Sequence, residues 1–205
     1  MMKTTEVIPI EGRKNFGTRR PVIIPLPCFM IGTYDENNIP NILMDSYCCQ
    51  LDYNKVLLIL NPHKTTNNIM LKKAFTISYA DVNTVIESDY FGIVSGNKVA
   101  DKVAKAGFTT MPSPNVDAPI INEYPLTLEC VVTKMDTMDE EGNTYVVGEI
   151  VNMSAAECIL DENGKVDLGK LRPIIYDPSN NTYRDIGNIV GFAFKSGKEI
   201  INRYE

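Results

Sequence analysis

The sequence predicts a mainly β fold, a small closed barrel decorated by short helices. Strand-like segments fill one block near the N-terminus and another near the C-terminus, with helical segments between them. The C-terminal block holds two long strand-like runs joined by a polar turn, and barrel closure would cover the edges of such a hairpin. A β-sandwich accounts for the same pattern, because periodicity does not separate the two architectures.

The N-terminal block predicts three strands. The first is centred on residues 28–34 and is followed by the turn-forming sequence "DENN". The second is predicted within 40–52, "PNILMDSYCCQLD". The third, within 55–62, "KVLLILNP", is a continuous apolar run, which is typical of a strand buried on both faces.

The middle of the chain predicts helices around one further strand. Residues 63–73, "HKTTNNIMLKK", predict a short helix with Thr65 or Thr66 as its N-cap. A strand is predicted over 74–81, "AFTISYAD". Residues 82–94 carry apolar side chains close to helical spacing and predict a second helix.

The last part of the chain predicts a helix and then a long hairpin. Residues 95–108, "SGNKVADKVAKAGF", predict a turn and a short helix that ends at Gly107. The hairpin strands are predicted within 126–136 and 144–160. The tail "DLGKLRPIIYDPSNNTYRDIG" is interpreted as irregular, and "IVGFAF" at 189–194 as a last strand or edge segment.

Composition indicates a single domain over residues 1–205, with residues 1–19 as an N-terminal extension. Hydrophobic residues make up 44% of the chain and charged residues 22%, which is ordinary for a globular protein. The formal net charge is −6 without long basic runs, so we expect no nucleic-acid partner. No apolar run suits a signal peptide or a membrane span, so we expect a cytoplasmic protein without a membrane partner.

The cysteine and histidine content argues against two kinds of site. Five cysteines, an odd number without framework spacing, do not suit a disulfide scaffold, and one histidine without a CxxC motif does not suit zinc. We therefore expect no metal site. Cys48, Cys49, Cys130 and Cys158 are interpreted as small core residues.

The order of several short motifs resembles one known family. The motifs are "NILMDSY", "NPHKTTNNI", "GIVSGNKVADK", "LEC", "VGEI", "LRPIIY" and "YRDIG", between about Arg20 and Gly191. Their series resembles the flavin reductase-like, FMN-binding split-barrel family, which includes flavoredoxins and NADH:flavin oxidoreductases. The resemblance implies a Greek-key split barrel and a homodimer, with one FMN per protomer near the subunit interface.

The resemblance also implies that the second strand lies along the FMN ring and ribityl chain. The contacts expected there are Met44, Asp45, Ser46, Tyr47 and Cys48. Family members often carry Thr and a small residue where this chain has Met44 and Asp45, so Ser46 is the best-matched ring contact. The alternative is a plain barrel strand in which Cys48 and Cys49, which adjoin the expected ring site, are only core residues.

A phosphate site is expected at the helix that follows the third strand. Free backbone N–H groups at a helix start, a hydroxyl and a cation together suit a phosphate, and "NPHKTT" offers all three. The expected contacts are Asn61, His63, Lys64, Thr65 and Thr66. The alternative is a Thr-capped helix with His63 and Lys64 in solvent.

The segment "SGNKVADK" has two interpretations. As local structure it is a turn and the first turn of a helix. By resemblance it forms a loop against the flavin, with Ser95, Asn97 and Lys102 as expected FMN contacts. Asp101 is expected to pair with a neighbouring lysine at the surface.

The resemblance implies an FMN-dependent oxidoreductase, an NAD(P)H-dependent flavin reductase. NADH or NADPH is the expected electron donor, and free flavin or a redox partner protein the expected acceptor. No catalytic side chain is expected, since FMN carries the chemistry. Two alternatives stay open: a flavoredoxin-type electron carrier without nicotinamide turnover, and a non-catalytic module that binds flavin or another ligand.

Overall fold

The computed structural model describes residues 10–17 and 21–201. Its strands are β1 (Leu26–Pro27), β2 (Phe29–Tyr34), β3 (Pro40–Asp45), β4 (Cys48–Asp52), β5 (Lys55–Leu60), β6 (Ala74–Tyr79), β7 (Thr110–Pro112), β8 (Pro119–Ile121), β9 (Leu126–Thr137), β10 (Thr144–Ala155), β11 (Ile174–Asp177) and β12 (Thr182–Asp185). Its α-helices are α1 (Lys64–Lys72), α2 (Val85–Ile93), α3 (Lys102–Lys105), α4 (Leu168–Leu171) and α5 (Lys198–Ile201). Every helix in the described ranges is too short or too polar to cross a bilayer.

Seven strands form one antiparallel sheet that closes on itself as a barrel. The strand order is β3-β2-β6-β9-β10-β5-β4, so β3 and β4 are the two edges. Yet only Ser46 and Tyr47 separate these strands in sequence. Seven strands laid flat would span about 29 Å, whereas three residue steps reach about 11 Å at most. The sheet must therefore curl until its edges meet at the Ser46–Tyr47 connection, which confirms the barrel over the sandwich.

The barrel is filled by one core and covered by a second. Side chains of β2 alternate between the two cores, as neighbours on a strand must. Ile31 lies inside the barrel with Phe75 and Leu58, all fully buried. Met30 points to the outer face, where it packs with Phe91 of α2 and other residues of the second core. The outer core thus fixes α2 against β2 and β3.

The long hairpin is confirmed and bends at two places. β9 and β10 have twelve residues each, and their register shifts between Val147 and Gly148 and between Ile150 and Asn152. Such bulges increase the local bend and twist of a strand. The bulges therefore help β10 to follow the curved wall of the barrel.

Two predictions about the C-terminal tail are wrong. The tail predicted as irregular contains α4 and the hairpin of β11 and β12, and β11 also pairs with β1. These strands have four residues or fewer, too few for periodicity to reveal them. The predicted strand at 189–194 is absent from the structure, which shows no strand there. Ile189, Phe192 and Phe194 are exposed, because an apolar run forms a strand only where a partner strand is available.

The predicted helices are present, with one correction at the start of α1. His63 occupies the N-cap position in an extended conformation, and α1 begins at Lys64. Thr65 and Thr66 lie inside the first turn, so the prediction that one of them is the N-cap is wrong. The helix α3 ends as predicted, with Gly107 at a φ of +76°. The domain boundaries stay a prediction, since residues 1–9 and 18–20 lie outside the described ranges.

Candidate functional site

A groove of three adjoining cavities runs along β3 and the connection after it. The small chamber, of about 150 Å³, is lined by Asn41, Leu43, His63, Lys64, Thr65, Gly92, Ile93, Val94, Ser95, Gly96 and Lys102. The middle chamber, of about 410 Å³, is lined by Met44, Asp45, Ser46, Tyr47, Asp89, Gly92, Ile93, Tyr176, Asn181 and Tyr183. The large chamber, of about 620 Å³, is lined by Pro21, Val22, Ile23, Leu26, Ser46, Tyr47, Cys48, Cys49, Leu57, Ile59, Tyr176, Pro178 and Asn181.

The three chambers follow one another in a fixed order. The small and middle chambers share Gly92 and Ile93 of α2. The middle and large chambers share Ser46 and Tyr47, which connect the two edges of the barrel, and Tyr176 of β11. The groove therefore extends from the start of α1, past the end of β3, to the seam of the barrel, which is the line along which the edge strands β3 and β4 meet.

The small chamber brings together two segments that are far apart in sequence. Lys64 and Thr65 reach it from the start of α1, while Ser95, Gly96 and Lys102 reach it from the loop after α2 and the start of α3. The N–H groups of the first helical turn have no partner within the helix. The chamber thus combines helical N–H groups, a threonine hydroxyl and a lysine.

Asn41 of β3 links the floor of the small chamber to α1. Its side chain is 3% exposed, and its Nδ2 donates a hydrogen bond of 2.8 Å to Thr65 Oγ1. Its Oδ1 has no hydrogen-bond partner among the described residues. Thr65 Oγ1 is used as an acceptor here, so its own hydrogen stays available to donate. The hydroxyl proton of Thr65 is what an anionic ligand could use.

The ammonium of Lys64 is already paired within the protein. Lys64 Nζ lies 2.8 Å from Oδ2 of Asp35, whose side chain is almost fully buried. Burial raises the pKa of Asp35, but hydrogen bonds from Lys64 and from the N–H groups of Ile39 and Asn37 outweigh it and hold the pKa below 3.8. The positive charge of Lys64 is therefore balanced before any ligand binds.

Lys102 is the other cation of the small chamber. It is 2% exposed, and its Nζ donates to the carbonyl oxygens of Val94, at 2.9 Å, and Phe91, at 3.4 Å. Burial lowers its pKa to about 8. No carboxylate pairs with it in the described part of the chain. Lys102 is thus better placed than Lys64 to meet a negative ligand.

The other residues predicted around the small chamber lie partly outside it. Thr66 Oγ1 donates to the Asn61 carbonyl at 2.6 Å and lies 3.2 Å from His63 Nδ1, and neither Thr66 nor Asn61 lines the chamber. His63 does line it, and burial, followed by the charge of Lys102, lowers its pKa. Asn97 is exposed and away from the lining.

The predicted surface pair of Asp101 is present beside the small chamber. Asp101 Oδ1 lies 2.9 Å from the ammonium of Lys105, and both side chains are more than half exposed. Exposed pairs of this kind contribute little to stability, about 0–1 kcal/mol. Asp101 does not line the small chamber, and the prediction about its pairing is confirmed.

The middle chamber contains a carboxyl group without a charged partner. Asp45 is 9% exposed; its Oδ1 accepts a hydrogen bond from the Tyr47 N–H at 3.1 Å, and its Oδ2 has no partner in the described ranges. Burial raises its pKa to about 6. Across the chamber, Tyr183 donates through its hydroxyl to Asp89 Oδ1 at 2.6 Å.

The large chamber is mainly apolar, with two cysteines at its edge. Leu57 and Ile59 of β5 form one wall and are only partly buried, so the prediction that this strand is buried on both faces is wrong. Cys48 is half-buried and Cys49 is exposed, so the interpretation of Cys49 as a core residue is wrong. Burial raises the pKa of Cys48 well above its usual value. The same interpretation is confirmed for Cys130 but wrong for Cys158, which is exposed.

Several residues of the groove were not predicted from the sequence. Asn41, Asp89 and Gly92 gave no local signal, because they lie within an ordinary strand and helix. Tyr176 and Tyr183 belong to "LRPIIY" and "YRDIG", two motifs that carry the family resemblance, and that resemblance could have assigned them to the groove.

Comparison with known proteins places the chain in a family. Residues 19–184 match the flavin reductase like domain. The flavoredoxin of Desulfovibrio vulgaris (Miyazaki F) is 31% identical with a TM-score of 0.82, covering 90% of this chain and 99% of that chain. The flavoredoxin of Methanosarcina acetivorans is 26% identical with a TM-score of 0.81, covering 92% and 100%.

The fold is confirmed by a more distant structure. A Shewanella frigidimarina NCIMB 400 protein with a split barrel domain is 19% identical with a TM-score of 0.73, and the match covers 82% of this chain and 86% of that chain. The predicted mainly β split barrel is therefore confirmed. Since the match to the domain covers most of the chain, this protein belongs to the flavin reductase like family.

Proposed function

We propose that the groove binds FMN, with the phosphate in the small chamber and the isoalloxazine ring in the large chamber. The observation that carries this proposal is the convergence of β3, the start of α1 and the loop after α2 on one groove, with opposite chemistry at its two ends. The small chamber offers Lys102, the Thr65 hydroxyl and helical N–H groups, as a phosphate requires. The large chamber is apolar and large enough to hold a fused ring system.

The residues present fit this cofactor on one further ground. Asp45, which lines the middle chamber, has a buried carboxylate oxygen without a partner among the described residues. Such an atom is costly unless something binds to it, and the hydroxyls of a ribityl chain can donate hydrogen bonds. Bound FMN supplies the electron-transfer chemistry. The protein positions the cofactor, excludes water from one side of it and balances its charge.

The experiment that tests cofactor binding is a fluorescence titration of the purified protein with FMN and with riboflavin, which lacks the phosphate. We expect Thr65→Ala to weaken FMN about ten-fold or more and to leave riboflavin unchanged. Ser46→Ala, at the junction of the middle and large chambers, should weaken both flavins alike if its hydroxyl contacts the ring. Wild-type protein that quenches neither flavin would contradict the proposal.

We further propose that the bound FMN accepts hydride from NADH or NADPH and passes electrons to free flavin or to a redox partner protein. The family assignment supports this, as does a large chamber of about 620 Å³ that can hold a fused ring system. Stopped-flow mixing with NADH and with NADPH tests it through bleaching of the flavin absorption band. If neither nicotinamide bleaches the band at millimolar concentration, the reductase proposal is contradicted, and the alternatives are an electron carrier of flavoredoxin type and a non-catalytic flavin-binding module.

A homodimer is the assembly that we propose. β4 is an edge strand, and apolar side chains are exposed on it and around it: Leu51, Tyr53, Val151 and Met153. Exposed apolar side chains beside an edge strand favour an interface, and obligate interfaces commonly bury more than about 2,000 Å². Light scattering should give twice the 22.9 kDa mass of one chain. A monomer that still binds FMN would contradict the dimer alone.

A further inference from the structure

A second groove lies behind the large chamber, on the other face of the small sheet formed by β1, β11 and β12. Leu26 pairs with Tyr176 and both line the large chamber, whereas the next pair, Pro27 and Ile175, lines the second groove. Successive residues of a strand point to opposite faces, so the small sheet is the wall between the two. We call the second one the outer groove; it has a volume of about 620 Å³, and its lining includes Pro25, Pro27, Phe29, Cys49, Ile175 and Gly187. This lining is mainly apolar, so an apolar segment would fit it.

The chain leaves the outer groove at Gly187 and continues as a segment that we call the arm, residues 188–201. The arm has local structure of its own, since the Phe192 N–H donates to Ser196 Oγ at 2.8 Å and α5 follows. Four apolar side chains of the arm are nevertheless largely or fully exposed: Ile189, Val190, Phe192 and Phe194. The arm therefore carries an apolar surface that is shaped but not covered.

The arm stands clear of its own barrel. In the described part of the chain, the hydrogen bonds of residues 188–201 have both partners within that segment. A Cβ atom at Gly191 would meet only Ser196 of the arm itself, and one at Gly197 would meet no atom within 4 Å. Apolar side chains gain free energy when they leave water. The arm and the outer groove thus both present apolar surface that another molecule could cover.

A second copy of the chain is the occupant that the geometry favours. Cys49 and Gln50 of β4 line the outer groove, and the next residues of this edge strand belong to the face proposed for the dimer. In a two-fold dimer each protomer presents the same surface to the other, so a contact made by one arm is made by both. The extended segment from Gly187 to Phe194 can reach about 23–25 Å. The arm that starts at one groove is therefore long enough to cross to the groove of a partner that adjoins β4.

We propose that the two protomers of the dimer exchange their arms, so that the apolar side chains of residues 189–194 lie in the outer groove of the second copy. This inference rests on the proposed homodimer and adds to it the segment that each chain gives to the other. The exchange covers the arm and the groove together, and it does so behind the wall of the large chamber, without a contact to the flavin.

Cys49 offers a direct test, because it is exposed and lines the outer groove. Val190→Cys and Phe194→Cys, made as two separate variants, each place a thiol on the arm. Oxidation with diamide should join Cys49 of one chain to the arm of the other. A non-reducing gel should then show a covalent dimer of twice the 22.9 kDa chain mass. Adding Cys49→Ser to each variant is the control and should abolish this dimer.

The position of the disulfide distinguishes the possible occupants of the groove. A chain that still runs at 22.9 kDa but has lost two thiols on oxidation would show that the arm folds into its own groove, and this overturns the exchange. A wild-type dimer from which neither variant gives a cross-link through Cys49 overturns it as well.

A second measurement gives the contribution of the arm to the dimer. We expect Phe192→Ser combined with Phe194→Ser to raise the dissociation constant of the dimer about ten-fold or more in sedimentation experiments, since buried aromatic side chains are common hot spots of interfaces. Phe16→Ser is the matched control, because Phe16 and Phe192 are both 68% exposed but Phe16 lies outside the arm. Its effect should be less than about two-fold. Thermal unfolding of each variant checks its folding.

The outcomes separate the exchange from the proposed dimer. A dissociation constant that is unchanged in the double variant overturns the exchange and leaves the dimer standing. A wild-type protein that is monomeric contradicts the proposed homodimer, and the exchange with it. Titration of the same samples with FMN reports on the cofactor proposal independently of both.

Discussion

Gly96 lies so close to Asn41 that a Cβ atom at position 96 would be 2.1 Å from Asn41 Oδ1. Asn41 cannot move aside easily, because it is buried and its Nδ2 is bonded to Thr65. The φ of Gly96 is in a range that other residues also adopt, so the glycine is required by the close approach and not by its backbone conformation. The turn "SGNK" therefore packs directly against Asn41 in the lining of the small chamber.

Gly96→Ala should therefore disturb the small chamber. We expect a loss of about 1–3 kcal/mol in the free energy of unfolding, as for other overpacked sites, and a larger loss of affinity for FMN than for riboflavin. Chemical denaturation and flavin titration measure the two effects. Gly197→Ala is the control, since its Cβ would meet no atom within 4 Å. Equal affinity losses for both flavins would show that the small chamber does not hold the phosphate.

The pair of Asp35 and Lys64 should stabilise the protein at neutral pH, and this contribution should be lost at acid pH. The pKa of Asp35 is lower in the folded protein than its usual 3.8, so its contribution is present above that value and is lost as the pH falls through the folded pKa. At pH 7 we expect Asp35→Asn to lower the free energy of unfolding by about 1.5–3 kcal/mol, because a buried hydrogen bond to a charged group is lost.

Urea denaturation of wild type and Asp35→Asn at several pH values measures this contribution. The difference between the two proteins should shrink below pH 3.8. Asp101→Asn, which removes the exposed partner of Lys105, is the matched control and should change stability by less than about 1 kcal/mol. A difference for Asp35→Asn that is constant down to pH 2 would show that the loss arises from packing and not from the charge.

The strands and helices that form the groove were predictable, but most contacts inside it were not. Hydrophobic runs and turn signals located β2, β5, α1 and α2, since these elements are long enough to show a period. The single strand predicted within 40–52 is wrong, because the chain turns at Ser46 and Tyr47 and forms β3 and β4 instead. The contacts of Asn41 with Thr65 and of Lys64 with Asp35 join residues 24 and 29 positions apart. Which polar groups meet across such distances depends on how the sheet curls, and no local pattern contains that information.

The predicted phosphate site shows the same limit. Residue types at the start of α1 correctly indicated a polar site, and Lys64 and Thr65 do line the small chamber. The charge of Lys64 is nevertheless balanced by Asp35, which lies on the loop after β2. Of the two lysines that line the small chamber, Lys102, 38 positions after Lys64 in the chain, has no carboxylate partner among the described residues. A sequence shows which cations are near a motif, but only the fold shows which of them are already paired.

Gly148→Ala should destabilise the barrel itself. A Cβ at position 148 would lie 2.4 Å from Cζ of Phe75, whose ring is fully buried inside the barrel. Gly148 also adjoins the bulge that follows Val147. We expect a loss of about 1–3 kcal/mol in the free energy of unfolding, measured by denaturation. Gly187→Ala, with no atom within 4 Å of its Cβ, should change stability by less than about 1 kcal/mol. A neutral Gly148→Ala would mean that the Phe75 ring can shift.

Because of Lys102, the affinity for FMN should fall at alkaline pH. Burial lowers its pKa to about 8 in the free protein, and a bound phosphate would raise it again because the negative charge favours the ammonium. FMN affinity should therefore fall as the pH rises from 7 to 9.5. The phosphate does not cause the change, since its second pKa is about 6. Riboflavin lacks the phosphate, and its affinity should change little over this range.

The measurement is the ratio of the affinity for FMN to the affinity for riboflavin, taken at pH 7 and at pH 9.5. In wild type the ratio should fall several-fold, by up to about ten-fold for each unit by which the phosphate raises the pKa of Lys102. Lys102→Met keeps much of the side-chain volume without the charge, so its ratio should be low at pH 7 and the same at pH 9.5. Lys105→Met, at an exposed lysine of the same helix, should behave as wild type. A ratio in Lys102→Met that still falls with pH would assign the phosphate to another cation, with Lys64 the next candidate.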